Sequence, residues 1–154
     1  MKLATTAVLV TLASACLTTG AFASPEKGLE IAIEADSRDK GFGDSTSQIT
    51  MILMDKYGQS TERAIRNRTF EGDKEGDKSL VIFDSPGDVR GTAFLSHTKK
   101  ADSDDQWLYL PALKRVKRIA SSNKAGPFMG SEFSYEDIAS QEVEKYTYNY
   151  LRDE

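Results

Sequence analysis

Ser47-Gln48-Ile49-Thr50-Met51-Ile52-Leu53-Met54-Asp55, followed by Lys56-Tyr57-Gly58-Gln59 and then by Ser60 to Phe70, reads as a strand, a turn and a return strand. Residues rich in β-branched and apolar side chains flank a glycine-containing turn, and Arg63, Ile65, Asn67 and Thr69 fall on one face of the return strand by alternation. The pattern continues. Glu71 to Lys78 is a charged turn, Ser79-Leu80-Val81-Ile82-Phe83 the next strand, and Ser85-Pro86-Gly87 its stop. Thr92 to His97, Gln106 to Leu110 and Arg115 to Ala120 follow, and a final strand is expected over Glu142 to Leu151. Turn signals about every ten residues point to antiparallel β-structure, and no long helical pattern alternates with the strands to suggest a parallel sheet.

N-terminal to this region, Ser24-Pro25-Glu26 carries a capping serine, a proline at the first helical position and an acid in the first turn. A short amphipathic helix is expected over Pro25 to Asp39, with Leu29, Ala32 and Ile33 on one face and Gly41-Phe42-Gly43 as its stop. It has too little apolar surface to stand alone, so it should pack on something larger.

The first 23 residues read as an export signal. Met1-Lys2 supplies the positive start, Leu3 to Leu17 is uncharged, and Ala21-Phe22-Ala23 is a small-x-small cleavage site. Residues 24–154 are then one domain outside the cytoplasm. Leu12-Ala13-Ser14-Ala15-Cys16 offers a lipid anchor through Cys16 as the alternative, although Ala13 stands where a branched aliphatic residue is usual in such a site.

The 154 residues are 39% hydrophobic and 29% charged, with formal charge −4, one Cys and one His. That composition suits one globular domain, and a single Cys excludes an internal disulfide. One Cys and one His cannot furnish a structural zinc site, so no metal and no cofactor are expected. Catalytic templates are absent: there is no nucleophile elbow, phosphate-binding glycine loop or His-Glu-x-x-His. His97 has no nucleophile near it in sequence. Asp102, Asp104 and Asp105 resemble the start of a calcium loop, but Trp107 stands where the turn needs glycine, so they read as a solvated loop. No catalytic residues are assigned and the chain reads as a non-enzyme. An exported, acidic chain also gives no reason to expect nucleic acid as a partner.

In Met51 to Met54 and Leu80 to Phe83 both faces of the strand are apolar, which predicts cover on both sides. A sandwich core and a barrel lining an apolar cavity satisfy this equally. Tyr146, Tyr148 and Tyr150 would form a ladder on the last strand, suited to cross-strand pairing or to an interface. Lys114-Arg115-Val116-Lys117-Arg118 places four cations near Trp107 and Tyr109, as on a solvated strand edge or at a headgroup contact.

Trp107-Leu108-Tyr109-Leu110-Pro111-Ala112-Leu113-Lys114-Arg115-Val116-Lys117-Arg118-Ile119 and Gly126-Pro127-Phe128-Met129-Gly130-Ser131-Glu132-Phe133-Ser134-Tyr135-Glu136-Asp137, with Ser85 to Leu95 ahead of them, closely resemble the bacterial outer-membrane lipoprotein-sorting proteins. The resemblance covers most of Ser47 to Asp137. It implies a mainly β fold, an unclosed antiparallel β-barrel or strongly curved sheet with short helices in its concave face, and an acyl-chain carrier in the periplasm. Members of that family continue for several strands past the point matching Glu154, so the chain is expected to be the N-terminal part of a longer domain, leaving the Tyr146 strand as an exposed edge. The resemblance implies lipoprotein acyl chains or lipid as the ligand, with Met51, Leu53, Ile82, Phe83, Leu95 and Trp107 as the cavity wall. Arg115 and Arg118 would stand at its mouth. The alternative is an envelope module that docks on an inner-membrane lipid transporter through its sheet edge and tyrosine ladder.

Overall fold

A computed structural model describes residues 24–72 and 74–154; the expected export signal and Cys16 lie outside the described residues. Among the described residues one α-helix, α1 (Pro25–Arg38), precedes six strands: β1 (Asp44–Met54), β2 (Ser60–Phe70), β3 (Lys78–Ser85), β4 (Ala93–His97), β5 (Asp105–Leu110) and β6 (Arg115–Arg118). The strands form one antiparallel sheet in sequence order, with β1 and β6 at opposite edges. The sheet is unclosed. Short 3-10 turns occupy the connections and the C-terminal segment.

Each strand pairs with its sequence neighbour because the turns are built locally. Between β1 and β2, the Asp55 carboxylate accepts from the Tyr57 and Gln59 N–H groups at 2.8 and 2.9 Å, and Gly58 supplies the positive φ of 81° that the reversal needs. Register then sets the faces. Ile49 stands opposite Ile65, Ile65 opposite Phe83, Val81 opposite Phe94 and Phe94 opposite Leu108. These alternate residues make one apolar face.

That face is covered by the segment after β6. Phe128, fully buried in a 3-10 turn, sets its ring centroid 5.9 Å from Phe83 and 5.3 Å from Phe94, and Tyr135 meets it edge-on at 5.4 Å. Ile65, Val81, Val89, Leu108 and Ile119 complete the buried cluster. Gln106, also fully buried, donates from Nε2 to the Tyr135 carbonyl at 3.0 Å and so ties the cover to β5. The Arg63 guanidinium does the same from β2, donating to the Met129 carbonyl at 2.7 Å.

The opposite face differs from the sequence expectation. Leu80, Ile82, Leu95 and Trp107 are only half-buried there, and Ile52 and Met54 are exposed. Two-sided apolar strands predict two-sided cover, but among the described residues only one face receives it. A second correction concerns the expected last strand: residues 142–151 hold a 3-10 turn (Val143–Lys145) and extended chain with a single bridge, Ser24 to Tyr150, so Tyr146, Tyr148 and Tyr150 form no ladder in the sheet. Pro25 to Asp39 was legible because its cap is local. Ser24 accepts from the Lys27 N–H at 3.3 Å.

Helix α1 is anchored near its N-terminus. Gly28 is buried against residues 148–150, where an added Cβ would lie 2.8 Å from the Tyr150 nitrogen, and the Lys27 ammonium sits 3.6 Å from the Tyr150 ring centre. Farther along, Leu29, Ile31 and Ile33 remain exposed. Beyond its C-terminus, Glu71 at the end of β2 accepts from the N–H groups of Gly41 and Gly43 at 2.6 and 2.7 Å, which fixes the linker into β1 and holds this carboxyl below its ordinary pKa.

Three outcomes test this fold. Gly28→Ala, which raises helix propensity by about 1 kcal/mol in an isolated helix, should instead lower stability by about 1–3 kcal/mol through overpacking. Faster amide exchange at Tyr150 would register the loosened contact. Phe128→Ala should lower the unfolding free energy by about 3–5 kcal/mol in urea titration. Asp105, held at a pKa of about 2 by Lys99 and then Arg118, contributes stability above the ordinary carboxylate range that is lost as pH falls from about 4 through about 2. Asp105→Asn should flatten the urea midpoint across that window.

Candidate functional site

The covered face does not fill completely. Between β1–β3 and the Phe128–Ile138 segment an apolar groove of about 490 Å³ remains, lined chiefly by Ile49, Met51, Ile65, Val81, Phe133 and Ile138. Its volume lies within the range of about 300–1,000 Å³ typical of small-ligand sites. Phe128 closes its inner end, packed on Phe83. Ile49, 45% exposed on the edge strand, and Phe133, 55% exposed, stand at its open side.

Polar groups are few in this groove. Asn67 donates from Nδ2 to Thr69 Oγ1 at 3.3 Å, and Asp137 accepts from the Ser134 hydroxyl and N–H, both at 2.7 Å, which holds that carboxyl below its ordinary pKa. Burial pushes the neighbouring Tyr135 phenol up. Asp137 is the one ionisable side chain in the lining of this groove among the described residues. Such an apolar lining can hold an apolar chain by burial.

A larger cleft of about 1,030 Å³ opens at the end of the sheet, between the α1–β1 linker and residues 140–142. Its lining is polar, including Asp36, Lys40, Glu71, Asp77, Lys100 and Glu142. Burial and then the nearby Asp77 push the Glu142 carboxyl above its ordinary pKa. Asp77 is itself engaged, accepting from the Gly72 N–H at 3.1 Å and the Ser140 hydroxyl at 3.0 Å. These groups staple the loops around the cleft, and among the described residues no group of three or more acids, His or Cys is placed to hold a metal.

The residues singled out from sequence separate between the two faces. Met51 lines the groove, Phe83 lies under Phe128, and Leu53 follows Met51 on the same face of β1. Ile82, Leu95 and Trp107 stand on the other face, Leu95 opposite Trp107 in register and the Trp107 ring edge-on to His97 at 5.1 Å. Arg115 and Arg118 belong to β6, at the edge of the sheet away from the groove, and Arg118 pairs with Asp105. Asp104 and Asp105, read as a solvated loop, are bound by protein cations: Asp104 by Lys145, Asp105 by Lys99 at 2.7 Å and by Arg118. Sequence reasoning missed Ile65, Phe133 and Ile138. Ile65 had the signal, since it shares a strand face with Asn67, whereas Phe133 and Ile138 lie in irregular chain without periodicity.

Comparison with known proteins gives three findings. A family model described as an uncharacterized protein matches residues 75–154. A domain from Vibrio parahaemolyticus, described as a candidate outer membrane lipoprotein-sorting protein domain, is 58% identical with TM-score 0.82 over 85% of this chain and 55% of its own. A DUF1329 family protein from Desulfovibrio piger is 33% identical with TM-score 0.73 over 80% of this chain and 52% of its own. The chain thus spans about half the length of both structures. No curated protein matches it significantly. The shared sheet and the identity across it carry one conclusion: the chain belongs to the bacterial outer-membrane lipoprotein-sorting protein family.

Proposed function

We propose that the protein is a non-enzymatic carrier of the bacterial envelope that holds an acyl chain of a lipoprotein or lipid in the groove between β1–β3 and Phe128–Ile138. The observation that carries this reading is the groove: an apolar trough of about 490 Å³, walled by sheet on one side and irregular chain on the other. Burying methylenes there contributes about 0.8 kcal/mol each, so a dozen of them supply about 10 kcal/mol against the losses of association. The Vibrio relative's description supports the envelope setting, with residues 1–23 as the export signal and the periplasm as the place of work. An inner-membrane transporter is the partner from which such a carrier would take its load.

Titration with a fluorescent fatty acid tests the reading. Wild type should take up the probe, and Ile49→Glu, at the exposed side of the groove, should weaken uptake by at least about tenfold by setting a charge against the chain. Leu95→Glu, on the opposite face, should leave uptake unchanged. No uptake by wild type, or equal loss in both variants, would sink the assignment to this groove.

A further inference from the structure

The β5–β6 hairpin carries a charge pattern that the groove does not use. From Gln106 to Ser131 the sequence contains Lys114, Arg115, Lys117, Arg118 and Lys124 and no acid, in a chain whose formal charge is −4. Two of these cations serve the fold. Lys124 is buried with its ammonium on the Ser103 hydroxyl and the Asp104 carbonyl, and Arg118 pairs with Asp105. Lys114, Arg115 and Lys117 form no ion pair among the described residues, and all of β6 is exposed at the sheet edge.

Local geometry adds apolar side chains to these charges. The 3-10 turn Pro111–Leu113 and the left-handed Lys114, with φ 47°, reverse the chain between the two strands. Leu113 is left 64% exposed at the tip, and Val116, 65% exposed, follows on β6 opposite Tyr109. Trp107 lies two residues before Tyr109 on the same face. The turn holding Gly91 lies beside Pro111, where an added Cβ on that glycine would stand 3.8 Å from the proline ring, and its Asp88 and Arg90 offset each other in charge.

We propose that this hairpin tip, Leu113 with Lys114, Arg115 and Lys117, docks on an anionic lipid bilayer surface. With the hairpin entering tip-first, lipid phosphates match Lys114 and, on one face of β6, Arg115 and Lys117, while Leu113 and Val116 reach the acyl boundary and Trp107 and Tyr109, on the other face, remain at headgroup level. An acidic protein would satisfy the charges, but a single projecting leucine needs a preformed pocket there, whereas a bilayer receives it anywhere. The hairpin lies at the edge of the sheet remote from β1, so docking leaves the groove mouth clear. A carrier that must meet membranes gains an orientation from this arrangement.

Sedimentation of residues 24–154, which hold every element of the described fold, with vesicles of phosphatidylcholine, alone or mixed with phosphatidylglycerol, tests the proposal. Wild type should bind the mixed vesicles and not the neutral ones, with a blue shift of Trp107, the one tryptophan of the chain. Replacing Lys114, Arg115 and Lys117 together by Gln should weaken binding roughly hundredfold, about fivefold for each cation. Leu113→Ser should weaken it at least about tenfold. Unchanged fatty-acid uptake by both variants would show that the fold is intact and separate this result from the groove reading. Equal binding by wild type and the triple variant overturns the proposal. So does wild type remaining in solution, or binding soluble polyglutamate as tightly as the mixed vesicles.

Discussion

The cover over the apolar face of the sheet depends on Phe128. A six-stranded meander can form its ladders from neighbouring pairs alone, but an open sheet with one apolar face stays in water unless something covers it. Phe128 supplies the cover by seating a ring on Phe83 and Phe94 and receiving Tyr135 at its edge. Arg63 and Gln106 then bind the backbone of the same segment, so the cover is held by polar contacts from β2 and β5 as well as by burial. The groove exists because that cover stops short of β1.

The division of labour among the charges follows from the same layout. Where loops meet at the sheet's ends, carboxylates are consumed by backbone N–H groups or cations: Glu71 by Gly41 and Gly43, Asp105 by Lys99 and Arg118, Asp84 by Arg66 at 2.7 and 2.9 Å. Exposed ion pairs of this kind add little stability each, but they fix where loops end. Near β6 no such offset exists: Gln106 to Ser131 holds no acid, and Lys114, Arg115 and Lys117 stay exposed at the sheet edge.

Much of the fold was legible because its determinants are local. Ser24 and Pro25 mark the helix start, Asp55 and Gly58 the first turn, and alternation in Ser60 to Phe70 gives a strand with the observed limits. The misreadings share another cause. Alternation in residues 145–151 imitates a strand, yet a strand needs a partner edge, and among the described residues the only bridge formed there is with Ser24. Likewise, apolar residues on both faces of β3 predict cover on both sides, yet Phe128 covers one face, with Phe83 beneath it and Ile82, Leu95 and Trp107 on the other. The lipoprotein-sorting family was visible in the motifs from Trp107 to Asp137, which contain Phe128 itself.

The meander order of the strands also shapes how the chain reaches this state. Every ladder joins sequence neighbours, so each hairpin closes over a short loop and loses little chain entropy in doing so. Other contacts are different: Phe128 must return to Phe83 across three further hairpins, Arg63 must reach Met129, and Ser24 must meet Tyr150 across nearly the whole described chain. These long closures are entropically dearest and least rewarded until the sheet is in place. The groove and the helix anchor are therefore late features of folding, assembled on a sheet that is already formed.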